Sequence, residues 1–279
     1  MTADKLLLGL IAGEGRLPFL VAQGAKKAGL KVICAALAGI AEPSLANEVD
    51  VFYEVPLAKP GCWIKKLKKH NVTSTIMVGR VAKGRIFTPW RILKYLPDWH
   101  AIKIWYWQLR GKNKQNDVLL SALADELAES GIILENSTMY CKEHLASAGV
   151  MTKTQPTTSV KNDIEFGWQI VKKLGELDIG QAAAVKEREI IAVEAMEGTA
   201  AMIERAGKLC KSGGWTLIKV SKPNQDMRFD VPCVGPDTIK SLAQNGGKCL
   251  VTEADKTIII DKPQTLKLAD ELGIAVLGR

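Results

Sequence analysis

Lys5 to Ala12 is an unbroken apolar run of the length and texture of a strand buried on both faces of a parallel sheet. The turn Gly13-Glu14-Gly15-Arg16-Leu17-Pro18 follows it, then a helical pattern to about Ala28, closed by Gly29. Lys31 to Leu37 is the next strand, and the order strand, glycine turn, helix, strand predicts a βαβ unit. Asp50–Val55 and Thr73–Val78 read as further strands around a helix near Trp63–His70. Leu119, Leu120, Leu123 and Leu127 make one face of a helix capped by Asp117 and stopped at Gly131, and Ile132–Leu134 is the last strand of this half. A helix is expected from Ser137 to Ala148.

Residues 150–160, VMTKTQPTTSV, are polar, threonine-rich and aperiodic, and read as a linker. Beyond them a helix capped by Asn162-Asp163 runs to Gly175. Gln181–Val185 and Glu189–Glu194 form a hairpin around Lys186-Glu187-Arg188, and a helix starts at Thr199, with Thr199 itself the expected N-cap. Strands are expected at Trp215–Val220, Gly247–Val251, Thr257–Ile260 and Ile274–Leu277, with helices from Pro236 and over Thr265–Leu272. The pattern is α/β, with a Rossmann-like N-terminal domain over 1–149, the linker 150–160, and a separate C-terminal α/β domain over 161–279. A length of 279 residues suits two domains of about 100–200 residues each.

With 47% hydrophobic residues the chain can bury a full core, yet no apolar run reaches the ~18–20 residues of a membrane span. The opening residues read as a first strand rather than a signal peptide. Six cysteines occur without a CxxC pair and three histidines stand apart, which argues for free thiols in a reducing compartment and against a zinc site. The net charge of +8 points to an anionic partner, whether nucleic acid, lipid headgroups or a phosphorylated substrate.

Three stretches carry candidate chemistry. The first turn, G-x-G-x-x-P, has Pro18 where a dinucleotide fingerprint needs its third glycine, and no acidic residue ends the second strand. That argues against NAD and leaves phosphate on backbone N–H groups, or glycines serving only a tight turn. Arg80, closing the Thr73–Val78 strand, stands where open α/β sheets bind anions. Residues 83–114 interleave Trp90, Trp99, Trp105 and Trp107 with eight Lys and Arg, which suits a lipid surface, stacked single-stranded nucleic acid, or a helix whose core face is Ile102, Trp105 and Leu109.

The third stretch, KVSKPNQDMRFDVPCVGPDTI over 219–239, places Asp226, Arg228 and Asp230 in a proline-punctuated loop. Two carboxylates there suit a hard divalent cation, and the arginine suits a carboxylate or a phosphate. The plainer alternative is an Asp–Arg pair that pins the loop.

LIAGEGRLP at 10–18, VEAMEGTAAMI at 193–203 and KPNQDMRFDVPCVGPDTI at 222–239 together resemble the UDP-2,3-diacylglucosamine pyrophosphatase family of the LpxI type, over essentially the whole chain. The resemblance implies hydrolysis of UDP-2,3-diacylglucosamine to 2,3-diacylglucosamine 1-phosphate (lipid X) and UMP in lipid A biosynthesis, with a divalent metal, Mg2+. It implies a cytoplasmic protein working peripherally at the inner membrane on a lipid-linked UDP-sugar, not on nucleic acid, with a homodimer left open. It makes Asp226, Asp230 and Arg228 the expected catalytic residues, with Asp226 first and the two aspartates as metal ligands. Gly13, Gly15, Arg16, Arg80, Glu197, Thr199 and Gln225 are the expected substrate contacts. Ala200 stands where the family has an acidic residue, and Asn116-Asp117 where it has an acidic pair. Those departures leave a second reading, a non-catalytic lipid- or nucleotide-binding protein on the same scaffold.

Overall fold

The computed structural model describes residues 6–81, 97–104, 116–223 and 225–279. They form two compact α/β units, Met1–Cys141 with Asp226–Phe229, and Lys142–Gln225 with Asp230–Arg279.

The first unit is built on β1 (Leu7–Ala12), β2 (Lys31–Leu37), β3 (Val51–Val55), β4 (Ser74–Val78) and β5 (Ile133–Leu134). They lie in the order β3-β2-β1-β4-β5 and every pairing is parallel, the Rossmann-like arrangement the strand–helix alternation predicts. In β1, Leu8, Leu10, Ile11 and Ala12 are wholly buried, as an unalternating apolar strand requires. Each fully buried leucine or isoleucine contributes about 1.5–3 kcal/mol. On one face Ile11, Ile33 and Leu37 pack with Trp63, Ile64 and Leu67 of the helix Pro60–Lys68 and with Leu123 and Leu127 of Asn116–Glu129. The helix Leu17–Lys27 buries Phe19, Leu20, Val21 and Ala22.

A short helix, Trp99–Lys103, is tied down by polar contacts. Asp98 accepts from the Gly61 N–H at 2.8 Å and the Ala101 N–H at 2.9 Å. His100 Nδ1 and Lys103 Nζ converge on the buried carboxylate of Glu126. Ile102, which the core-face alternative would bury, is 44% exposed, and Ile104 is buried. Trp105, Leu109 and the rest of 83–114 outside 97–104 lie beyond the described residues, as does the side chain of Asp117.

The expected helix over Ser137–Ala148 does not form; the segment is turns and one 3-10 turn, Lys142–His144. Asn136 Oδ1 accepts from both the N–H and the hydroxyl of Thr138 at 2.8 Å, a local turn that competes with helical hydrogen bonding.

The second unit contains β6 (Gly149–Val150), β7 (Ala182–Lys186), β8 (Glu189–Val193), β9 (Trp215–Lys219), β10 (Cys233–Val234), β11 (Gly247–Thr252), β12 (Ile258–Ile259) and β13 (Ala275–Gly278). Its main sheet runs β13-β11-β9-β7-β8, with β13, β11 and β9 parallel and the β7–β8 hairpin antiparallel. β10 and β12 pair separately. One face buries Trp215, Leu217 and Leu250 under Met202 and Ile203 of the helix Thr199–Leu209. The other buries Ile218, Val220 and Val251 under Val160, Ile164 and Val171 of the helix Thr158–Glu176.

That helix starts four residues before Asn162, because the Thr157 side chain accepts from the Val160 N–H as N-cap. Asp163 is instead buried and accepts the Arg188 N–H at 2.7 Å. It thereby clamps the hairpin turn, where Glu187 and Arg188 both take the positive φ a two-residue turn needs. Residues 142–149, expected in the first domain, belong with the second unit, where Ala146 joins the core. The segment read as a linker is pinned: Thr152 Oγ1 accepts from the Val276 N–H and Asp270 accepts from the Thr154 N–H, both at 2.9 Å.

Candidate active site

In the first unit the chain runs outward from β1 through β2 to β3 and then crosses to β4 on the other side of β1. The carboxyl ends of β1 and β4 therefore flank a topological switch point, where open α/β sheets bind ligands. The segments after both strands are zipped together there. The Gly13 N–H donates to Val78 O at 2.8 Å, while Glu14 and Arg80 exchange backbone hydrogen bonds at 2.9 Å. A Cβ on Gly13 would stand 2.9 Å from Gly79 C and Arg80 O, so the close approach excludes any side chain. Gly15 is different: its φ of +104° calls for glycine, and a Cβ there would meet nothing within 4 Å. Arg16 stacks its guanidinium 5.3 Å from the Phe19 ring centroid, and Arg80 is exposed.

Asp226–Phe229 packs with this unit through Ser137, just beyond β5. Its N–H donates to Met227 O at 3.0 Å, and its hydroxyl lies 2.7 Å from Arg228 O and 3.3 Å from Met77 O on β4. Ser137 is 1% exposed, so these backbone oxygens depend on it. On the loop itself, Arg228 Nε lies 3.0 Å from both Asp226 carboxylate oxygens, and Nη2 lies 2.7 Å from Oδ2. The Arg228 N–H adds a 2.9 Å bond to Oδ1. Hydrogen bonding from Arg228 holds the Asp226 carboxyl below its ordinary range, against the opposing effect of burial. The same hydrogen bonds raise Arg228, with a smaller attraction from Asp125 on the helix Asn116–Glu129. Asp125 carries no sequence signal beyond its place on an exposed helical face.

The sequence-expected residues thus separate. Gly13, Gly15, Arg16, Arg80, Asp226 and Arg228 belong to the first unit, whereas Asp230, Gln225, Glu197 and Thr199 belong to the second. Asp230 is exposed. Gln225 Oε1 accepts from the Lys222 N–H at 2.9 Å, which shapes the entry to the loop. Glu197 is engaged within its own turn, accepting from the Ala195 N–H and from Arg205. Thr199 is not the N-cap; Gly198 is, and the Thr199 hydroxyl donates to Glu194 at 2.7 Å.

As a metal site the loop is not preformed. Both Asp226 oxygens are taken by Arg228, and among the described residues no three His, Cys, Asp or Glu side chains are grouped to hold an ion. The protein donors alone do not fit a cation cage.

Residues 7–144 match the LpxI N-terminal domain and residues 147–277 the LpxI C-terminal domain. The chain belongs to the LpxI family. A relative from Caulobacter vibrioides, named UDP-2,3-diacylglucosamine pyrophosphatase LpxI, is 30% identical over 278 residues, covering 97% of this chain and 96% of its own.

Proposed function

We propose that this LpxI chain hydrolyses the diphosphate of UDP-2,3-diacylglucosamine to 2,3-diacylglucosamine 1-phosphate and UMP, in lipid A biosynthesis. The observation that carries the reading is the Asp226–Arg228 fork, seated by Ser137 on the unit whose β1 and β4 ends make the ligand crevice. The full-length likeness to a relative named for that substrate supports it.

The fork suggests how the residues act. A diphosphate is a better bidentate partner for a guanidinium than a single carboxylate, so substrate draws Arg228 onto its phosphate oxygens. Asp226, released, loses the interaction that depresses it and becomes able to take a proton from water. The water oxygen then bonds to one phosphorus as the bridging P–O bond breaks. The departing phosphate keeps the electron pair, and Arg228 stabilises the charge that develops. Gly15 offers a backbone N–H and Arg16 and Arg80 offer positive charge at the crevice, while Gly13 shapes its floor, its own N–H being taken by Val78 O.

The cofactor in this reading would be Mg2+; Asp226 and Asp230 would be the carboxylates on offer to it, and it would supply neutralisation of the diphosphate's charge. Such cations commonly use one or two carboxylates plus substrate phosphates. The site of action is the cytoplasmic face of the membrane, with peripheral contact; no helix of the described residues is long and apolar enough to cross one.

The test is UMP release from UDP-2,3-diacylglucosamine, with Mg2+ and with chelator, for wild type and Asp226→Ala. Metal-dependent release that the variant loses supports the reading. Binding without release in the wild type would replace it with a non-catalytic lipid- or nucleotide-binding role.

A further inference from the structure

The first unit carries a concentration of positive charge that the proposed reaction does not use. Helices that join parallel strands run back along the sheet, so the helices Leu17–Lys27 and Pro60–Lys68 both end where the strands begin. They lie on opposite faces, because the first crossover moves outward from β1 to β2 and the second returns from β3 to β4. Lys26 and Lys27 stand in the last turn of one, Lys65 and Lys68 in the last turn of the other, and Lys69 follows. Lys31 opens β2 between them. All six are exposed, and among the described residues none is paired with a carboxylate. The Lys31 N–H donates to Leu6 O at 3.0 Å, which sets Leu6, 76% exposed, amid the group.

Little at this end of the sheet offsets the charge. Asp50 Oδ2 accepts the Val32 N–H at 2.9 Å and Glu129 is held by Lys103, leaving Glu48 before β3. Lysines also complement the negative end of a helix dipole, but that role does not call for so many. The helices Thr158–Glu176 and Thr199–Leu209 have one basic residue in the last turn, and Pro236–Gln244 and Lys262–Glu271 have none. Like charges so grouped repel one another, and an anionic surface relieves the repulsion. The residue types indicate which surface. Nucleic acid is met by arginine forks and open aromatic faces. Here Arg16 and Arg80 lie at the other end of the sheet, and Lys66 sits over the Tyr53 ring at 4.6 Å. Lysines on flexible stems around one exposed leucine suit lipid headgroups, with the ammonium groups among the phosphates and the aliphatic side chain beneath them.

We propose that the amino end of this sheet docks on an anionic lipid bilayer. The inference goes beyond the hydrolase reading and rests on charge and exposure alone. The crevice lies at the opposite end of the same sheet, so docking leaves it open to water. A lipid-linked substrate then reaches it by being drawn out of the bilayer.

The experiment is sedimentation of the full chain with vesicles of phosphatidylcholine, alone or with one-third phosphatidylglycerol, at low and at high salt. Wild type is expected on the anionic vesicles only, and less at high salt. Two paired substitutions test the surface from its two sides, Lys26→Gln with Lys27→Gln and Lys68→Gln with Lys69→Gln. Each is expected to weaken vesicle binding by about fivefold per lysine and to leave UMP release in neutral detergent unchanged. Lys208→Gln with Lys211→Gln removes the same charge from exposed positions of the second unit and should bind as wild type does. Wild-type binding by both test pairs, an equal loss in the control pair, or equal binding to neutral vesicles would overturn the proposal. So would duplex DNA that displaces the vesicles and loses affinity for the same two pairs, which would make the surface a nucleic-acid site. The vesicles hold no substrate, so a wild type that docks but releases no UMP refutes the hydrolase reading alone. One that releases UMP but does not dock refutes this proposal alone.

Discussion

Arg228 grips Asp226 through both its guanidinium and its own backbone: Nε and Nη2 reach the carboxylate at 2.7–3.0 Å while the N–H closes on Oδ1 at 2.9 Å. Both side chains remain partly exposed, at 41% and 30%, so the pair adds about 1 kcal/mol or less to stability. A contact that contributes so little to folding yet is so completely satisfied is better suited to being exchanged for a substrate than to holding the loop.

Arg228→Lys is therefore expected to fold normally and to lose activity. Lysine keeps the charge but not the fork, and UMP release should fall about a hundredfold, the scale of removing one preorganised donor. The pair also sets a pH expectation. With its pKa below the ordinary 3.8, Asp226 stays ionised as pH falls until that lower value is passed. The acid limb that Asp226 contributes to kcat/KM should accordingly lie below pH 3.8 in wild type. Near-wild-type rates in Arg228→Lys would remove the fork from the mechanism.

Ser137→Ala tests whether the loop's seating matters. The substitution deletes the 2.7 Å hydroxyl bond to Arg228 O, a loss of about 1 kcal/mol. The Ser137 N–H bond to Met227 O survives, so the loop should remain in place but be held less firmly. The expected readout is a small drop in denaturation midpoint with a severalfold fall in kcat. A kcat equal to wild type would show that Asp226 and Arg228 need no support from Ser137.

These residues differ in how visible they were. The apolar run of β1, the hairpin around Glu187-Arg188 and the glycine turn all follow from local pattern, and the structure has them. Asp226 and Arg228 stood out as charges in a proline-bounded loop, though their bidentate contact depends on a backbone turn that spacing does not encode. Ser137 was invisible, being one serine among many, and its segment was expected to be helical until Asn136 drew the Thr138 N–H away. Asp163 was read as a helix cap because its neighbours have cap chemistry, yet its bond to Arg188 crosses 25 residues of sequence.

Gly13→Ala probes the crevice floor. The new methyl would sit 2.9 Å from Gly79 C and Arg80 O, backbone atoms that cannot turn aside as a side chain would. The ends of β1 and β4 would have to part, at a cost of about 1–3 kcal/mol. Gly15→Ala meets no such wall, and its penalty comes only from the φ of +104°. Melting temperature should thus fall in both, with substrate affinity reduced more by Gly13→Ala, which displaces Arg80. Equal effects on affinity would mean that the Gly13–Gly79 contact does not position the crevice.

Glu253 gives the second unit an acid-sensitive anchor at the root of the Asp226 loop. Burial opposes its charge, but hydrogen bonds from Lys256, from the N–H and hydroxyl of Ser221, and from Lys172 outweigh burial and hold its pKa below the ordinary 4.5. All four donors lie at 2.8–3.1 Å, and Ser221 stands two residues past β9, where the loop begins. A carboxyl depressed on folding stabilises at any pH above its unfolded value, and that stabilisation disappears as pH falls through the folded one. Glu253→Gln should therefore be less stable than wild type at pH 7 by about 1–3 kcal/mol, from lysines and a serine left with a weaker acceptor. The deficit should shrink as pH falls below 4.5, where the unfolded wild-type carboxyl takes up its proton first and the folded one only at lower pH. Urea midpoints of both proteins at pH 7 and at pH 3.5 make the comparison. A gap that stays constant would show that Glu253 anchors the loop by shape rather than by charge.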